Sequence, residues 1–172
     1  MKFIRRPFFL FLVLYLLSAA GLQYVTGIIE AAGGTVPDLI VFATMEEAKS
    51  AFDALERSGM GSTYLWALWT LDVLFPIAYA GVITHIAPRG IWRGNCFVLA
   101  SFTAMIDTMA ENTAATVLLL VREEDVTSFM LSNRMKWALL CTSLSVAVVT
   151  RVIPSARTAY AFVRRLVAHP GL

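Results

Sequence analysis

Met105-Ile106-Asp107-Thr108-Met109-Ala110-Glu111-Asn112 places two carboxylates and an amide inside an apolar run that extends over about residues 92–121. A helix of that length, at ~1.5 Å per residue, is long enough to cross the ~30 Å hydrocarbon core of a bilayer. A carboxylate at such depth costs several kcal/mol, so it faces a bundle interior and has a partner or a task. The stretch therefore predicts both a membrane-spanning helix and a buried polar site on it.

The rest of the chain agrees with a membrane setting. Over 172 residues it is 58% hydrophobic, with a mean hydropathy of +0.70, well above soluble domains. Three further spans are predicted, at about 8–30, 63–86 and 135–153. The first follows Lys2, Arg5 and Arg6; the small residues Ser18-Ala19-Ala20-Gly21 leave a secretory signal peptide as the competing reading. Continuation of the apolar pattern through Leu22, Val25, Ile28 and Ile29 favours a retained span. Tyr64, Trp66 and Trp69 at the start of the second span have the composition of an interfacial aromatic belt.

The loop 31–62 is polar and contains one helix. Thr44 followed by Glu47 forms a capping-box pattern, Ala48, Ala51, Phe52 and Leu55 make an apolar stripe, and Gly59 is the stop. That stripe is expected to rest on the bundle end or the membrane surface. In the tail 154–172, Arg157, Arg164 and Arg165 alternate with apolar residues, which predicts an amphipathic helix on an anionic leaflet. Nine of the 14 Lys and Arg fall on the side of the two termini and the turn near Arg89, and five on the other. The expected fold is all-α: a single domain, a four-helix transmembrane bundle with both termini cytoplasmic, an extracytoplasmic loop helix and a C-terminal amphipathic helix.

Counting from the cytoplasmic helix ends puts Asp72 and Asp107 at one level, each ~21 Å up its span. Glu111 lies one turn above Asp107 on the same face, which also carries Cys96, Ala100, Thr103 and Ala114, small residues suited to close helix approach. Asn112 falls about 140° away, so without a helix distortion it bonds to a neighbouring span instead. Pro76 has no N–H for the Asp72 carbonyl, and Tyr79, on the same face, brings a hydroxyl. Lys136 is expected near the level of Glu111. One Lys does not balance three carboxylates, so protonation or a bound cation is required.

Asp72, Asp107, Glu111, Lys136 and Tyr79 are thus the candidate ligand- or ion-binding residues. Two functions compete: a pocket for a cation, proton or lipid-like ligand, with acid/base chemistry as an extension, and a structural or accessory subunit whose charges are interhelical latches. A channel or transporter protomer is weaker, since four spans without an internal repeat need oligomerisation to build a path. Phosphate-binding, hydrolase, zinc and haem motifs are missing, so no cofactor or metal is assigned. Cys96 and Cys141 read as small core residues, and His85 and His169 lie at a membrane boundary and in the tail. The basic residues form no nucleic-acid footprint, which leaves membrane lipids, a second copy or another membrane protein as partners.

The run Asp72-Val73-Leu74-Phe75-Pro76-Ile77-Ala78-Tyr79, followed by Asp107…Glu111-Asn112 and more faintly by Lys136-Trp137, resembles a loose group of small bacterial four-span membrane proteins. In that group the third-span element is Asp-x-x-Glu-Asn; this chain has one residue more. The resemblance implies the architecture and a bacterial cytoplasmic (inner) membrane, and no activity.

Overall fold

The computed structural model describes residues 5–41, 44–121 and 125–168, and every described residue is in helix, turn or coil. Six α-helices follow in order: α1 (Arg5–Ala31), α2 (Met45–Arg57), α3 (Gly61–Ile86), α4 (Ile91–Met105), α5 (Asn112–Val121) and α6 (Thr127–Ala168). A 3-10 turn, Pro37–Leu39, lies between α1 and α2, and a π-helical segment, Ile106–Glu111, joins α4 to α5. Four stretches are long and apolar enough to span a membrane: Pro7–Ala31, Gly61–Ile86, Ile91–Val121 and Thr127–Ile153. Lys2, the 122–124 part of the acidic loop and His169 lie outside the described residues, as do the tail side chains on which its amphipathic pattern rests.

Two boundaries differ from expectation. The fourth span starts at Thr127, not near 135, because Asn133 and Lys136 find buried polar partners and Ser132 bonds to the Ser128 carbonyl at 2.9 Å. The tail is not a separate helix: α6 continues through Pro154 to Ala168. A proline within a helix removes one backbone bond, and the turns on either side hold here without it.

The loop helix forms as its sequence predicts. The Thr44 hydroxyl accepts from Glu47 N–H at 3.2 Å, the Glu47 carboxylate accepts from Thr44 N–H at 3.3 Å, and Gly59 takes φ +72° past the end. The buried stripe Ala48, Ala51, Phe52 and Leu55 packs into a core with Ile29, Tyr64, Leu68 and Phe129, so α2 caps the bundle end. Phe52 and Phe129 meet edge to face, centroids 4.9 Å apart.

At the opposite end Tyr79 and Ile83 stand in a core rich in small residues, Ala80, Ala87, Cys96, Ala100 and Ala147. These let α3, α4 and α6 approach closely, as interfaces in membranes require. Gly81 serves the same purpose for α1: a Cβ there would run into the Phe11 ring. Gly90, at φ +99°, turns the chain into α4, and the Arg93 guanidinium donates to the Ala87 carbonyl at 3.2 Å.

The helices form an open arc. α1 packs along α3, α3 along α4 and more lightly on α6, and α4 with the π segment along α6, while α1 and α6 make at most slight contact with each other. Leu10, Leu16 and Leu17 of α1 and Leu144, Val148 and Val149 of α6 are exposed to the apolar surroundings. Trp66 and Trp69 are likewise exposed, but Tyr64 does not share their belt: it is 2% exposed and belongs to the capped core. Cys96 is buried, whereas Cys141 is exposed on α6 and is not a core residue; both are free thiols.

Candidate functional site

The polar site lies between the capped core and the small-residue core. Its base is the π segment. Asn112 N–H bonds to the Asp107 carbonyl, an i to i+5 closure that holds one residue more per turn than an α-helix. Asp107 and Glu111 are at opposite ends of that turn and both point inward, 3% and 0% exposed. The wider turn also seats Asn112, whose side-chain N–H donates to the Leu68 carbonyl of α3 at 3.1 Å.

Lys136 reaches in from α6 and is fully engaged. Its Nζ lies 2.8 Å from Glu111 Oε2 and 3.2 Å from Asp107 Oδ1, and donates to the Asp38 main-chain carbonyl at 3.2 Å. Asn133, one turn earlier on the same face, donates to Glu111 Oε1 at 2.9 Å and to the same Asp38 carbonyl at 3.2 Å. The Tyr79 hydroxyl of α3 donates to Asp107 Oδ2 at 3.3 Å. These contacts form a buried network joining α3, the π segment, α6 and the 3-10 turn.

Asp72 stands apart from it. It is 4% exposed, and its Oδ2 has no hydrogen-bond partner. Asp38 differs: its carbonyl is bound twice, and its buried side chain has the buried Tyr64 hydroxyl as its neighbour, with Oδ1 left without a geometrically formed hydrogen bond. Asp38, Asp72 and Asp107 line one cavity of about 170 Å³, together with Tyr79 and Lys136 and a wall that includes Leu22, Phe75, Trp137 and Leu140. Lys136 is the basic residue on that lining, and its ring neighbour Trp137 has its centroid 5.7 Å from Nζ. Asp38 also borders a separate void of about 20 Å³ beside Tyr64 and Thr26, room for about one water molecule.

All five residues singled out in the sequence thus gather here: Asp72, Tyr79, Asp107 and Lys136 on the cavity, and Glu111 behind Lys136. Asn112 takes the interhelical bond expected of it. Asp38 and Asn133 are additions. The one lies in a polar loop and the other at the expected outer start of the fourth span, and only the tertiary fold brings them together. Among the described residues no three His, Cys, Asp or Glu side chains converge closely enough to hold a metal ion.

Comparison with protein families, curated proteins and solved structures finds no match to this chain.

Proposed function

We propose that this multi-pass membrane protein binds a cation, a proton or a positively charged lipid-like ligand at an acidic pocket inside the bundle. Asp72 carries the reading. It is buried, faces a cavity that two other carboxylates line, and has an oxygen with no partner, while the Lys136 ammonium is committed to Asp107, Glu111 and the Asp38 carbonyl. Uncompensated carboxylates away from water are costly, so neutralisation by a proton or a bound cation is the economical state. The charge distribution of the loops supports both termini inside and α2 outside, and the resemblance of the second and third spans to small bacterial four-span proteins supports a bacterial cytoplasmic membrane setting.

The test uses the full-length protein in detergent, with thermal unfolding and native mass spectrometry followed across a pH series and a panel of Na⁺, K⁺, Mg²⁺ and NH₄⁺. Asp72→Asn should remove the cation- or proton-dependent stabilisation and leave the unfolding midpoint in its absence close to that of the parent. A parent protein indifferent to every cation and to pH would sink the proposal.

The ion pairs of Lys136 favour a second reading, an accessory subunit whose charges only latch helices together. On that reading Glu111→Gln with Lys136→Met restores the stability that either change alone removes, and Asp72→Asn has no ligand phenotype.

A further inference from the structure

We propose that the ligand is an amphiphile with a primary ammonium head group, admitted sideways from the lipid between α1 and α6, with the ammonium held by Asp72 and Asp38. This deepens the acidic-pocket reading and rests on it.

The route comes from the arrangement of helices. α1 and α6 make at most slight contact, and the cavity is walled on that side by Leu22 and the exposed Gln23 of α1 and by Trp137 and Leu140 of α6. Toward the α2 end, Asp38 and Leu39 of the 3-10 turn line it, pinned by the two hydrogen bonds to the Asp38 carbonyl. The side between α1 and α6 is therefore the loosely packed and mainly apolar one, and the side toward the cap is tied down.

The head group is set by the acceptors. Asp72 Oδ2 is buried and unpartnered, and Asp38, whose other neighbour is the Tyr64 hydroxyl, lines the same cavity, yet the carboxylates do not converge as a metal ion needs, with several oxygens at ~2.0–2.6 Å. An –NH₃⁺ group has three donors and accepts spaced partners at ~2.7–3.2 Å. A cavity of about 170 Å³ holds such a head and its first methylenes, with the remaining chain lying along Leu22, Phe75 and Leu140. Net positive charge is required. With Lys136 engaged, the lining offers no free basic group to a phosphate, which would face three carboxylates.

The probe is decylammonium, added to the full-length protein in phosphatidylcholine nanodiscs and read by thermal shift and native mass spectrometry. Methylammonium is the head-only control, and decanol and decanoate are the chain-only and wrong-charge controls. Decylammonium should bind about tenfold or more tighter than methylammonium or decanol, since head and chain each contribute. Asp72→Asn should lose that preference over decanol; Leu22→Trp, or Leu140→Ala if the first fails to fold, should weaken decylammonium and leave methylammonium unchanged. Decylammonium no tighter than methylammonium overturns the sideways, chain-dependent part while the acidic site stands. Decanol binding as tightly as decylammonium, or phosphatidylethanolamine competing equally well, removes the requirement for net positive charge. If no ammonium, metal ion or pH change produces an Asp72-dependent response, both readings fall.

Discussion

Asp107 and Glu111 on the π segment share one ammonium, an amide and a phenol, whereas Asp72 Oδ2 across the cavity has no hydrogen-bond partner and the Asp38 side chain has only the Tyr64 hydroxyl beside it. The two halves are similarly buried and chemically alike, so burial alone does not separate them. What differs is the supply of donors. Lys136 and Asn133 stand one turn apart on α6 and spend their hydrogens on the π segment and on a main-chain carbonyl. The paired half is built to hold helices in place; the unpaired half is available to something that brings its own charge.

That division is open to direct attack. Lys136→Met should do the most damage, about 3–5 kcal/mol of stability, because it strands buried carboxylates without their cation. Reversible unfolding in mixed micelles measures it, and a loss under ~1 kcal/mol would mean the paired half is not a latch. Asn133→Ala comes next, at about 1–3 kcal/mol, since it leaves Glu111 Oε1 and the Asp38 carbonyl short of a donor. It should also increase protease access to the loop around Asp38, which limited proteolysis in nanodiscs detects. Tyr79→Phe should cost about 1 kcal/mol, as one long hydrogen bond to Asp107 is removed; a cost equal to that of Lys136→Met would place Tyr79 at the centre of the latch.

Asp125 gives the exposed reference. Hydrogen bonds from the Thr127 hydroxyl and from Thr127 N–H, the latter at 2.9 Å, hold its carboxyl below the ordinary 3.8. A carboxyl lowered in the folded state adds stability above its unfolded value and loses it as pH falls through the folded one. Asp125→Ala should thus shift the unfolding midpoint slightly near neutral pH and not at all once Asp125 is protonated, the smallest of these effects. An equal shift at both ends of a pH titration would show that its charge is irrelevant to the start of α6.

Much of this arrangement is legible in the residues. Hydropathy locates four spans, the Thr44–Glu47 pair locates α2, and counting rise per residue sets Lys136 near Glu111 and brings Asp72 toward Asp107, with which it shares a cavity. These succeed because they depend on local geometry and on the cost of charge in hydrocarbon. Asp38 is illegible for the opposite reason: in a polar loop an aspartate is unremarkable, and only the insertion of Pro37–Leu39 against α6 buries it. The stretch 127–134 falls outside the expected span because Ser132, Asn133 and Arg134 interrupt the apolar run, and only the fold shows that Ser132 and Asn133 face the protein. Tyr64 reads as interfacial for the same reason. The π turn leaves a fainter trace, in that a regular helix directs Asn112 away from Asp107 although both lie in a segment that has to be buried.

The wider turn at Ile106–Glu111 ties the site to residue count. Because the π turn absorbs one extra residue, removing one between Asp107 and Glu111, such as the exposed Met109, closes the segment to ordinary helix and leaves α5 near its present phase relative to α4. Asp107 and Glu111 then stand three residues apart, about 60° out of phase but still on one side of the helix. Closing the segment to ordinary helix at unchanged length is the damaging change, since it rotates α5 by about 100° and carries Asn112 off the Leu68 carbonyl.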